Sequence, residues 1–162
     1  MKTLIRFLVW IALVIWLGGL FFFPVVAAAA FGTIADTHLA GTIVAKCLTT
    51  LHHEGLVAGC WIVLFLLVGI VLRVYGRSMI IGVVVTLVML GFTAYSQFSI
   101  IPRMEHDRIA AGGAIDAVPG TNPLHADFDR LHGLSVHAEE AVMLAGLLLV
   151  ILLARDTGLA KP

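Results

Sequence analysis

Charge is what this chain has least of. Ten lysines and arginines and ten aspartates and glutamates make up 12% of its 162 residues, and the formal net charge is zero. Soluble domains carry about 25% charged residues, so the scarcity excludes a water-soluble globule. The even balance excludes the basic face that nucleic acid requires. Cysteine is also rare. Of the two, Cys47 and Cys60, the second stands inside an apolar run, which excludes a disulfide framework and leaves both as small hydrophobes. Several signatures are missing too: no Cys-x-x-Cys-His haem attachment, no His-Glu-x-x-His, no Gly-x-Ser-x-Gly and no phosphate loop.

Apolar residues fill the space. They make up 60% of the chain, and the mean hydropathy is +1.06. A spanning helix needs about 20 mostly apolar residues, and four stretches qualify. Residues 7–31 and 55–72 carry no charge, and 79–101 is broken only by Tyr95, Ser96 and Gln97. The fourth, 136–154, is apolar from Ala141 onward but opens with His137, Glu139 and Glu140. With helical extensions the spans are expected at about 4–31, 39–73, 78–104 and 127–155, in a single domain. Lys2, Arg6 and the alanines at 27–30 give the first stretch some look of a signal peptide. Its apolar run is about twice the usual length for one, so a retained helix is expected.

Lysine and arginine near helix ends favour the cytoplasm. Lys2 and Arg6, Arg73 and Arg77, and Arg155 and Lys161 fall on one side if both termini are inside. The expected architecture is therefore an all-α integral membrane protein. It is a four-transmembrane-helix bundle, N-in and C-in, with helical extensions on the outer side and a flexible loop around Gly112, Gly113, Pro119, Gly120 and Pro123. No helix carries a polar stripe through the bilayer, which argues against a pore.

The informative polar residues gather near the outer face. His52, Gly55 and Gly59 share one side of the second helix, and the Gly-x-x-x-Gly pair admits a close neighbour. On the fourth helix His132, Val136, Glu139 and Met143 align, with His137 and Glu140 rotated to an adjacent face. Trp16 and the Gly18-Gly19 pair mark the first helix. His52 and His132 are expected to face each other across the outer third of the bundle, with Glu139, Tyr95 and Gln97 within reach. Ionisable groups inside a span are costly and turn inward. Three uses are open: hydrogen bonds that tie helices together, a metal or haem site, and a proton relay or substrate contact. Zinc or copper accepts imidazole with carboxylate, which would make His52, His132 and Glu139 the ligands. Two opposed imidazoles could instead hold haem b. Arg103, His137 and Glu140 would support either. His38, His106 and His125 are expected to be solvated, as is the charged cluster from Arg103 to Arg108.

Four stretches together, "WLGGLFFFPVVA", "LHHEGLVAG", "YSQFSIIPRMEHDR" and "FDRLHGLSVHAEEAVMLAGL", resemble the bacterial members of the transmembrane-protein-205-like family (domain of unknown function 4149). The resemblance spans nearly the whole chain. By it, His52, Tyr95, Gln97, Pro102, Arg103, Phe128, His132 and Ser135 occupy motif positions. That family is distantly similar to copper-resistance protein D and to haem-containing protoporphyrinogen oxidases. The resemblance implies a multi-pass protein of the bacterial inner membrane, with copper or haem b serving metal handling or electron transfer. The alternatives are an accessory subunit of a larger membrane complex, or a homo-oligomer, without a cofactor, and a haem-dependent porphyrin oxidoreductase.

Overall fold

The structure, a computed structural model, describes residues 1–156; Lys161, used above to orient the chain, lies outside them. Helix α1 covers Lys2–Thr33, α2 Thr37–Val71, α3 Ile80–Tyr95, α4 Ile101–Ala110 and α5 Pro123–Arg155. A π-helical turn, Ser96–Ile100, joins α3 to α4, and there is no strand among the described residues. Four helical segments are long and apolar enough to cross a membrane: α1, α2, the continuous Arg77–Ala110 and α5. The protein is an all-α, multi-pass membrane protein whose outward surface is suited to lipid.

Local chemistry sets the helix ends. The Asp36 carboxylate accepts from the Leu39 N–H at 3.0 Å and opens α2. Asn122 accepts from the Leu124 N–H at 2.9 Å, and Pro123, which has no N–H to satisfy, starts α5. The third span runs on to Ala110, past the expected end near 104. Pro102 has no N–H to give the next carbonyl. The π turn absorbs this, the Ile101 N–H reaching back to the Ser96 carbonyl before α4 resumes. The outer connection is anchored at Ile115, which is buried, and at the ring of His125, which donates to the Val118 carbonyl at 3.0 Å.

The start of α1, the end of α5 and the turn between α2 and α3 meet at one end of the bundle. Arg6 donates to the Val74 carbonyl at 3.0 Å, lies over the Tyr75 ring at 5.3 Å and approaches Asp156 at 4.0 Å. Asp156 also accepts from the Gly76 N–H at 3.0 Å. The outer end is built differently. The buried residues of α1 run from Ile5 to Leu20 and then stop. Pro24 removes the N–H that would bond the Leu20 carbonyl. Beyond it α1 buries nothing and becomes one wall of a cavity. α1 packs mainly on α2 and only lightly on α5.

Candidate functional site

His52 is placed by the packing of α2 on α1. At Gly55 the α2 backbone accepts the Trp16 ring so closely that an added Cβ would lie 2.3 Å from the indole nitrogen. Gly59, one turn on, meets Leu90 and the same ring. The Gly-x-x-x-Gly pair therefore receives a side chain rather than a neighbouring backbone. With those glycines turned into the bundle, His52, one turn above, is turned in as well and is 1% exposed.

Both of its ring nitrogens are engaged. Nδ1 lies 2.9 Å from Gln97 Oε1, and Nε2 lies 2.5 Å from Glu139 Oε1. Gln97 stands in the π turn, which brings consecutive residues Ser96 and Gln97 both inward. Ser96 Oγ then meets Ser135 Oγ of α5 at 3.3 Å. One turn below Ser135 comes Glu139, 17% exposed, with its second oxygen, Oε2, enclosed and without a partner among the described residues. Three spans thus converge on one imidazole. About 24 Å of helix separates Glu139 from Arg155 and about 30 Å separates Gln97 from Arg77. Against a hydrocarbon core of about 30 Å, the cluster belongs to the third of the bundle farthest from Arg77 and Arg155.

The proton count follows from the partners. An amide oxygen accepts only, so Nδ1 carries the hydrogen that it donates to Gln97. Nε2 and Glu139 Oε1 then hold one proton between them, as imidazole with carboxylic acid or as imidazolium with carboxylate. The pair is neutral overall in either form, which suits an enclosed site.

Above Glu139 lies a cavity of about 660 Å³, bounded by the outer halves of α1, α2, α4 and α5. Its walls are chiefly apolar, among them Phe23, Ala27, Leu48, Ile101 and Phe128. Small-molecule sites have volumes of roughly 300–1,000 Å³, apolar walls and a few placed polar groups. Glu139 lines this cavity and His52 backs Glu139, so the hydrogen-bonded chain ends at the cavity.

The other expected residues lie around this centre. His132 is exposed on the cavity wall, about 10 Å along α5 from Glu139. The bonds of His52 go to Gln97 and Glu139, and none joins it to His132. Tyr95 is 50% exposed and borders a shallow outer groove with Val88, Gly91 and Phe92. Arg103 meets Asp127 at 3.3 Å, outside the site. His137 and Glu140 pair with each other at 3.1 Å on the exposed side of α5. Among the described residues no group of three or more His, Cys, Asp or Glu side chains is gathered to hold a metal ion. A haem iron would have to break one of the two bonds of His52. As arranged, both ring nitrogens of His52 are engaged, so it could ligate either group only by giving up Gln97 or Glu139.

The cavity and the Ser96–Ser135 contact have no sequence expectation behind them. Pro24 is the one signal for the cavity, since it marks where α1 stops burying residues. No protein-family model, no curated protein and no solved structure matches the chain.

Proposed function

We propose that this protein binds a small, largely apolar molecule in the outer leaflet of a bacterial inner membrane and receives its polar end at Glu139. One observation carries the reading: a cavity of ligand size closes on a carboxyl group that a buried histidine and glutamine hold in place. The apolar walls would take the body of the ligand from the lipid phase. Glu139 would accept a hydrogen bond or face a positive charge. His52 fixes the carboxyl group and shares its proton, and Gln97 fixes the tautomer of His52. The arginines and lysines at one end of the bundle support the inner-membrane orientation.

Mass spectrometry of protein released from native membranes tests the reading. A small molecule should be retained by the wild-type chain and lost from Ala27→Trp, which fills the cavity from α1 without touching the hydrogen-bonded chain. Equal retention by both would place the molecule elsewhere. The same preparation separates this reading from the copper or haem that the family resemblance implies. A Soret band or stoichiometric metal that disappears in His52→Ala would overturn it.

A further inference from the structure

Resting on that reading, we propose that the ligand is a lipophilic cation and that its arrival displaces the proton shared by His52 and Glu139. The charge of the cavity points there. Four of its lining residues are acidic, Glu105, Asp116, Glu139 and Glu140, against a single arginine, Arg108. Arg108 is already committed: it grips both oxygens of Glu105 at 2.7 and 2.9 Å. Glu140 is held by His137 at the exposed face. The α1 wall from Leu20 to Phe31 has no titratable group, α2 adds His38 near the rim, and α5 adds His132 about 10 Å outward. After these pairings Glu139 is the deepest acidic group, and Asp116 stands at the outer connection.

The proton balance sets the coupling. With one hydrogen on Nδ1 and one between Nε2 and Oε1, the pair is neutral. A cation entering without compensation would leave a net positive charge among apolar walls, which is strongly unfavourable. Loss of the shared proton to water removes one positive charge as the cation supplies one. Glu139 becomes the carboxylate that faces the ligand, and His52 keeps its Nδ1 hydrogen on Gln97. No other covalent bond changes. A neutral ligand of the same shape has no such requirement.

Calorimetric titration of detergent-purified protein in two buffers of different ionisation enthalpy reads the exchange. Tetraphenylphosphonium serves as the cation and triphenylphosphine oxide as the neutral counterpart. The expected result is release of about one proton per bound cation and none per neutral molecule. Cation affinity should rise about tenfold per pH unit wherever the pair still holds its proton, while neutral affinity stays flat. Glu139→Gln should abolish proton release and weaken the cation at least tenfold, and an unfolding temperature close to that of wild type would show that it folds. Cation binding without proton release at any pH overturns the coupling and leaves the cavity reading intact. So does binding of the neutral probe alone. Failure of both probes removes the inference and the cavity reading together.

Discussion

Deleting His52 leaves two unlike groups behind. Gln97 loses one contact to its amide oxygen, whereas Glu139 loses the only partner that Oε1 has among the described residues, where Oε2 already has none. An interhelical hydrogen bond in a membrane averages about 0.6 kcal/mol, but stranding a buried polar group costs about 1–3 kcal/mol, and more when it is charged. The stranded carboxyl should dominate. His52→Leu is therefore expected to lower stability by about 1–3 kcal/mol. His52→Leu combined with Glu139→Leu should recover at least half of the summed losses, because nothing polar is then left unpaired. Thermal unfolding of the four proteins in one detergent measures it, and strict additivity would count against a coupled pair. The inward turn of His52 was legible in the sequence, since His52, Gly55 and Gly59 share a helical face. The partners of its ring were not. Spacing reports the direction of a side chain around its own helix, not the height at which a neighbouring helix meets it. His132 and Glu139 share a face, yet only Glu139 stands level with His52.

Helical phase carried the reading as far as the elements remained α-helical. The π turn at Ser96–Ile100 inserts an extra residue into the ladder and rotates everything after it. This is why the register of α4 could not be read from α3, although Pro102 marks the place. The glycines separate in a similar way. Gly18 and Gly55 look alike in sequence, but nothing lies within 4 Å of a Cβ built at Gly18, while one at Gly55 meets three atoms of the Trp16 indole at 2.3 to 3.0 Å. Trp16 is 1% exposed and has no room to withdraw. Gly55→Ala should therefore force α1 and α2 apart at a cost of about 1–3 kcal/mol, and Gly18→Ala should leave the unfolding temperature unchanged or raise it slightly. Since His52 sits one turn from Gly55, the first change should also weaken ligand retention. Equal unfolding temperatures for the two variants would show that the indole does not set the helix spacing.

The molecule as a whole is closed at one end and open at the other, and the closed end makes the protein sensitive to alkali. Arg6, Tyr75, Gly76 and Asp156 tie the start of α1, the α2–α3 turn and the end of α5 together, so the spans can diverge around a cavity at the outer end without the bundle coming apart. Tyr75 is buried there, its ring filling the space beside Gly69. Its hydroxyl has no hydrogen-bond partner among the described residues. Burial pushes the phenol up from 10.0 to about 12, with the Arg6 charge opposing the rise and Asp156 adding to it. The raised value fixes the sign. The folded state holds the phenolic proton more tightly than the unfolded chain, so the contribution to stability is complete below pH 10 and is lost as pH climbs through about 12. Tyr75→Phe keeps the ring beneath Arg6 and removes the titrating group. It should unfold at an equal or higher temperature than wild type at pH 8, because an unpaired buried hydroxyl is gone. Its advantage should then widen from pH 10 to pH 12 as the wild-type phenol is forced to ionise. Parallel melting curves for the two proteins across that window would mean that the phenol ionises in place, and that the inner end is looser than its contacts imply.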